Sequence, residues 1–515
     1  MTTFAEILSK QTTGRLSMFD RIIFKGHLTG LYPKGAFARF LARQGVLLKD
    51  FASYVQGATE KVKAQAKAIA EQAGRPYIYL ESATTQATGK SKEDQARQIA
   101  ERDGVQGGLI CVFAVLELCG SFDVRGNHET KQKEVVYRPR KCLHFYFYYL
   151  DPEFGFMHVR LASWFPFQIQ VYINGREWLA RQLDKQGLAY ERYDNCFVRL
   201  ADLPAAQKLG EHLAHREWAR VLNAFAARLN PLLATIEQTG FQGYYWVIEQ
   251  CEIATDVMFP DRTTLVQVLP DLFQEAILVF GAEDTMRFLG RKLHGNFQGA
   301  VTTDLKKRPA GWRVKHHLKG NSLKMYDKAS VLRLETTINN SREFKVLQGE
   351  DGSLRWERMG KGVANFWRFY QVGTQANQRY LEALANIQLK GEAVQALDDL
   401  CQNHTKEGKR VARFHPVDKG DCALFSAVLA GEHLLNGFRN CDLRARLDDK
   451  VATTPQEIKR RCARVSRLIA KLRGHGLIAK VKDSRLYRVT KYGYRVMSAA
   501  LGFRLVRFPE AFQAV

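Results

Sequence analysis

The chain has few cysteines and none of the spacings that make cysteine a framework. Nine are scattered over 515 residues, at 111, 119, 142, 196, 251, 401, 422, 441 and 462, with no C-x-x-C pair. An odd, unpatterned count argues against a disulfide scaffold and against a zinc module, and it fits a reducing compartment. Long apolar runs are also missing. The most apolar stretch, 109–118, falls short of the ~20 residues of a membrane span and carries Glu117, so it reads as a buried strand. Residues 1–16 hold no apolar signal core, so no secretory signal is expected and the expected location is cytoplasmic. A Walker loop, G-x-S-x-G and H-E-x-x-H are all absent, which leaves an ATPase, an α/β-hydrolase and a zincin unsupported. No internal repeat and no long low-complexity segment occurs.

Positive charge is present in excess. There are 77 Lys+Arg against 53 Asp+Glu, a formal net charge of +24. Hydrophobic residues make up 46%, which excludes a disordered polycation. The length suggests about three domains. A polyanionic partner is implied, with nucleic acid the first candidate and no membrane association expected. The excess is uneven: residues 406–515 hold 24 Lys+Arg and 10 Asp+Glu, which is +14 of the +24.

That basic region divides into readable elements. An apolar helix is expected over 422–433 and a short one over 441–447, with Asn440 as N-cap. Thr454-Pro455-Gln456-Glu457 is a capping box with proline at the first helical position. The helix it opens stops at Gly474 and Gly476. Ile458, Cys462, Val465, Ile469 and Leu472 make one apolar stripe. Arg460, Arg464, Arg467 and Lys471 make a second stripe, beside Arg461. Two β-rich runs follow, 477–482 and 485–490, carrying Lys482 and Arg485, and then a last helix from 491. The run RVSRLIAKLRGHGLIAKVKDSRLYRVTKYG resembles the recognition helix and wing of MarR- or ArsR-like winged helix-turn-helix proteins. The resemblance implies a helix in the major groove and a wing on the backbone.

The middle of the chain carries the candidate chemistry. The segments NSLKMYDK and VLRLETTIN both alternate as strands. If Ala329-Ser330 is the turn, Tyr326 lies opposite Arg333 and Lys324 opposite Glu335 on one polar face. Upstream, 244–259 reads as a largely buried strand with Glu249, Glu252 and Asp256. The K-M-Y-D-K and R-L-E-T segments resemble the Y-x-K and R-x-E strands of rolling-circle replication initiators of plasmids and filamentous phage. In that family an R-I-D-L-A-x-D strand lies upstream, where this chain reads Cys251-Glu252-Ile253-Ala254-Thr255-Asp256. The resemblance implies metal-dependent nicking and joining of a DNA strand by a tyrosine. Tyr326 would be the nucleophile, Glu335 and Glu252 ligands of Mg²⁺ or Mn²⁺, and Asp256 a third. Lys328 and Arg333 would neutralise charge on the phosphorus. This sequence has Cys251 in place of the family's arginine and Glu252 in place of its aspartate. On a strand, Glu252 and Asp256 are about 13 Å apart.

Basic residues interleaved with aromatics run from 287 to 317, among them Lys306, Lys307, Arg308, Arg313 and Lys315, and suit a nucleic-acid channel. Tyr380 sits on an expected helix over 365–389 and reads as core. In the N-terminal half, strand 76–80, helix 92–102 and strand 109–116 suggest an α/β unit, followed by an aromatic-rich β-meander. His144 and His158 lie on those strands as structural histidines. The expected fold is multidomain α+β. It has a mixed α/β domain over 1–235, a β-rich core over 236–395, a linker over 396–420 and a winged helix over 421–515. The expected activity is that of a mobile-element replication initiator acting on DNA. The alternative is a non-enzymatic regulator or the protein part of a structured-RNA particle.

Overall fold

The computed structural model describes residues 4–81, 91–127, 129, 131–291, 299–308, 311–349, 355–385, 391–406, 408–448 and 452–513. The fold is mixed α+β. It divides into two compact units, Thr13–Arg262 with Lys306–Gln378, and Met1–Thr12 with Thr263–Leu305 and Arg379–Val515. Among the described residues no single helix is long and apolar enough to cross a membrane.

The first unit is organised by one large sheet. In chain order its strands are β1 (Gly14–His27), β2 (Tyr77–Leu80), β3 (Gly108–Gly126), β4 (Lys133–Asp151), β5 (Gly155–Ala162) and β6 (Ile169–Asn174). A separate hairpin, β7 (Tyr190–Tyr193) and β8 (Cys196–Leu200), comes next. The sheet then continues with β9 (Tyr245–Met258), β10 (Val301–Arg308), β11 (Gly311–Leu318), β12 (Asn321–Lys328) and β13 (Val331–Ile338). Their spatial order is β10-β11-β12-β13-β9-β1-β6-β5-β4-β3-β2. The β2–β3 pair is parallel. A parallel pair needs a crossover, and the helix Lys92–Arg102 lies in that connection. Ser91 starts it: its hydroxyl accepts from Asp94 N while Asp94 accepts from Ser91 N.

This sheet corrects the expected boundary at 235. β9 hydrogen-bonds to β1 on one side and β13 on the other, so both sides of that position share one sheet. The physical reason is in β9 itself. Residues 251–258 are buried on both faces, so their backbone N–H and C=O groups must be paired by strands on both edges. On the same sheet face, Phe19 stacks on Phe366 with centroids 4.3 Å apart, and Phe24 meets Trp218 at 4.7 Å. A Cβ on Gly373 would lie 2.7 Å from the Ile253 side chain, so the helix Phe366–Ala385 crosses that strand closely. Each such buried aromatic contributes about 1.5–3 kcal/mol.

In the second unit, the expected linker over 396–420 is instead structured. It contains the end of the helix Gly391–Leu400 and a short hairpin, His404–Lys406 with Lys409–Val411. Leu400 and Phe414 are 1% and 0% exposed in one core with Leu424, Leu443, Val465, Ile469 and Leu472. Two apolar side chains within a polar run were enough to anchor it. The C-terminal elements are helices Lys419–Val428, Gly431–Asn436, Asn440–Leu447 and Pro455–Gly474, a hairpin of Ile478–Lys480 with Tyr487–Val489, and the helix Lys491–Gly502. Thr454 Oγ1 accepts from Glu457 N, a cap worth about 1 kcal/mol. Two local expectations differ. Asn440 is the first helical residue, and its amide donates to Cys462 O and Ser466 Oγ instead of capping. Ile458 is 45% exposed, so the buried stripe of the long helix is complete only from Val465 onward.

Candidate functional site

The site begins with a two-residue hairpin. β12 and β13 turn at Ala329-Ser330, which sets Tyr326 opposite Arg333 and Lys324 opposite Glu335. Ala329 adopts a left-handed φ of 49°, a conformation that glycine takes more cheaply. Arg262 holds the turn by donating to Ala329 O at 2.7 Å and to Asp327 Oδ2 at 2.8 Å. Leu323, Met325, Leu332 and Leu334 fill the opposite face and are all 0% exposed. The polar side chains therefore have only one face available.

On that face Tyr326 Oη donates to Glu335 Oε2 at 2.6 Å. Lys324 Nζ donates to Glu335 and, at 3.4 Å, to Glu252 Oε1. β9 supplies Glu252, which faces Thr337 of β13. β1 supplies a carboxylate that the sequence reading missed, Asp20. Phe19 pairs with Ile253 and Ile22 with Cys251, so Asp20 and Arg21 together oppose Glu252. This is a β-bulge, a device that re-aims side chains beside functional sites. Ligand oxygens of Asp20, Glu252 and Glu335 lie within 4.8 Å of one another, and all three residues are buried. The signal in the sequence was a single acidic residue inside the apolar strand SMFDRIIF.

The electrostatics of the cluster follow from burial and crowding. Burial, then the negative charge of Glu335, push Glu252 up to about 7. Burial also works against ionised Glu335, but Lys324 and the Tyr326 hydroxyl outweigh it and hold Glu335 below its ordinary value. Burial and Glu335 raise Tyr326 well above the usual phenol range. Asp20, Glu252 and Glu335 crowd their oxygens together, with Lys324 and Arg333 as the cations beside them. An all-oxygen donor set of this kind suits a hard divalent cation.

Asp256 lies outside that cluster and Arg333 meets it only through Asp20, which corrects two expectations. Asp256 is 0% exposed and takes guanidinium donors from both Arg333 and Arg176. Burial is outweighed by these two cations, and Asp256 is held below its ordinary value. Its place among the carboxylates is taken by Asp20. Arg333 is also 0% exposed and donates to Asp20 Oδ2 at 3.1 Å and to Asn195 O at 2.9 Å. It therefore positions Asp20 from inside the protein, with no open face for a substrate. Lys328 reaches the β7–β8 turn, pairing with Asp194 and donating to Asn195 Oδ1 at 2.7 Å.

The basic residues fall into two groups. Arg313 faces Tyr326 and Lys315 faces Lys324 across β11–β12, so both flank the polar face. Lys306, Lys307 and Arg308 are exposed on β10, at the sheet edge. Lys292, His294 and Phe297 of the expected basic-aromatic run lie outside the described residues. In the other unit, Arg464 pairs with Asp448, Arg461 with Glu457, and Lys471 with Asp421 at 3.3 Å. Arg460, Arg467, Lys482 and Arg485 are exposed and make no ion pair among the described residues. Tyr380 is 0% exposed between Phe280 and Phe288, with centroids 5.5 and 5.0 Å away.

Comparison with protein-family models, curated proteins and solved structures gave no match, so the reading of this site rests on its own residues.

Proposed function

We propose that this protein binds nucleic acid and cuts and rejoins a strand through Tyr326, as a replication-initiator-like enzyme of a mobile element. The observation that carries the reading is the 2.6 Å hydrogen bond from Tyr326 Oη to Glu335, because Glu335 is also one of the three clustered carboxylates. A phenol must lose its proton to attack phosphorus, and Glu335 lies where that proton would go. In the step, Tyr326 Oη bonds phosphorus and one bridging P–O bond breaks. The tyrosine proton passes to Glu335, and the departing strand end leaves as an alkoxide that takes a proton from solvent to become a hydroxyl. Asp20, Glu252 and Glu335 would hold Mg²⁺ or Mn²⁺, which when bound supplies Lewis-acid stabilisation of the developing charge. Lys324 adds a fixed positive charge beside the same oxygens. Arg313 and Lys315, with Lys306, Lys307 and Arg308 beyond them, form a track for strand phosphates.

The C-terminal order of helices, hairpin and helix supports a winged-helix reading. Arg460 and Arg467 of the helix Pro455–Gly474, with Lys482 and Arg485 of the hairpin turn, then make the duplex contacts. One observation favours a non-enzymatic role: the Lys324 ammonium already bridges Glu252 and Glu335. In that reading the cluster is structural, and the protein is a regulator or part of an RNA particle.

Incubation with Mg²⁺ or Mn²⁺ and single-stranded DNA separates the two. The expected result is a covalent protein–DNA adduct that maps to Tyr326. Tyr326→Phe abolishes it, and Asp20→Asn and Glu335→Gln reduce it at least ~100-fold, the usual scale for a general base or a metal ligand. Absence of an adduct with either metal, together with co-purifying RNA, overturns the enzymatic reading. An adduct that survives Tyr326→Phe moves the nucleophile elsewhere.

A further inference from the structure

A second cluster lies on the β3–β4 ladder, away from the carboxylates. The ladder pairs Val115 with His144, Glu117 with Cys142 and Cys119 with Arg140. Directly opposed residues of an antiparallel pair share a face, so Cys119, Cys142 and His144 all project from one side. The two sulfurs are 3.0 Å apart, and His144 Nδ1 is 4.0 Å from Cys142 Sγ. Ser121 Oγ approaches Cys119 Sγ at 3.2 Å. The three ligand atoms lie within 4.8 Å of one another. Cys142 and His144 are 5% and 2% exposed, whereas Cys119 is partly open to solvent and gives the cluster an entrance.

The chemistry of these thiols sets them apart from other buried cysteines in the chain. Cys111 and Cys196 are pushed up to about 12 by burial, as expected of inert core thiols. Cys119 goes the other way and is held below the usual thiol range, chiefly through its hydrogen bond with Cys142, with His144 and Ser121 adding to the effect. Cys142 is correspondingly raised. The thiolate is the ligating form of cysteine, and the two sulfurs and the imidazole are already gathered within one ligand sphere.

We propose that Cys119, Cys142 and His144 form a metal site for a single zinc-class cation. Two sulfurs and one imidazole nitrogen are the donor set of a borderline-soft, four-coordinate ion, with the fourth position left for water or Ser121. Sulfurs about a tetrahedral zinc with Zn–S near ~2.3 Å sit roughly 3.8 Å apart, so binding opens the present pair by less than about 1 Å. Loading takes both cysteines as thiolates, so it releases any thiol proton the pair holds. The donor chemistry differs from that of the Asp20–Glu252–Glu335 cluster, so the chain would carry a thiolate site and an oxygen site that select different cations. Sequence spacing hid this one because its ligands come from two long paired strands and only Cys142 and His144 are close in the chain.

Cobalt(II) titration of the reduced, full-length protein tests the proposal. The expected result is one equivalent per chain that produces tetrahedral d–d bands and thiolate-to-cobalt charge transfer, both lost on adding Zn²⁺. Cys119→Ser and Cys142→Ser each abolish the charge-transfer band, while Cys111→Ser and Asp20→Asn leave it intact. His144→Asn keeps the charge transfer but changes the d–d envelope, and it serves as a check should a cysteine variant misfold. Absence of thiolate bands overturns the proposal, as do bands that persist in both cysteine variants. A Cys119–Cys142 disulfide formed in air, with no cobalt uptake after reduction, also overturns it in favour of a redox pair.

Discussion

The carboxylate–tyrosine face of the sheet and the basic C-terminal helix are built by opposite means. The first joins Asp20, Glu252, Tyr326 and Glu335, residues more than three hundred positions apart at the extremes, on four strands. Its charges are buried and mutually compensated, and each side chain is held by another. The second collects its arginines from twenty consecutive residues of one helix. Those at Arg460 and Arg467 are exposed and make no ion pair among the described residues. Buried, crosslinked charge defines a geometry but is costly to disturb. Exposed, local charge binds through long-range attraction and tolerates change.

The sharpest way to break the comparison is to remove one partner from the buried network. Arg333→Met leaves Asp256 and Asp20 short of a cation they now share. The expected loss is about 3–5 kcal/mol of unfolding free energy, read from urea denaturation. The same change at exposed Arg460 should cost less than about 0.5 kcal/mol. Equal losses at both positions would mean that the buried network has no special weight.

Acid should act on the sheet next. His316 is 0% exposed, and burial, then His317, lower it to about 4. Its folded pKa lies below its unfolded value, so this contribution is complete above pH ~6.5 and is lost as pH falls toward 4. The loss reaches on the order of 3 kcal/mol at the acid end. Urea unfolding at pH 7.5 and pH 4.5 should show it, and His316→Leu should remove most of the slope. A slope unchanged in that variant would place the acid sensitivity elsewhere.

The exposed helix should respond to salt. Arg460→Ala with Arg467→Ala should lower the slope of log K against log salt by about two for nucleic-acid binding, and leave stability nearly unchanged. Unchanged binding would locate the main contact on β10 and β11. The smallest expected effect is at the hairpin turn. Ala329→Gly relieves a left-handed alanine and should stabilise the protein by about 0.5–1 kcal/mol by thermal or urea unfolding.

Much of the local structure was legible in the sequence. Alternation over 321–338, with a turn at Ala329-Ser330, gave the register in which Tyr326 meets Arg333 and Lys324 meets Glu335. Thr454 as N-cap, with Pro455 after it, marked the start of the basic helix. The helix Lys92–Arg102 lies where its pattern put it. These features depend on neighbours within about twenty residues, and periodicity or capping chemistry records them directly.

The tertiary structure decided the rest. It put β9 between β1 and β13, so the expected domain edge at 235 runs through a sheet. It turned Asp256 toward Arg176 and Arg333, and a bulge in β1 brought Asp20 into its place. It drew Leu400 and Phe414 from a polar run into the C-terminal core. Strand pairing across hundreds of residues is selected by the burial and hydrogen bonding of the whole sheet, and no window of the sequence contains that energy. The composition alone established that the chain is basic and able to build a core. The partners of each buried charge were settled only when the strands closed around them.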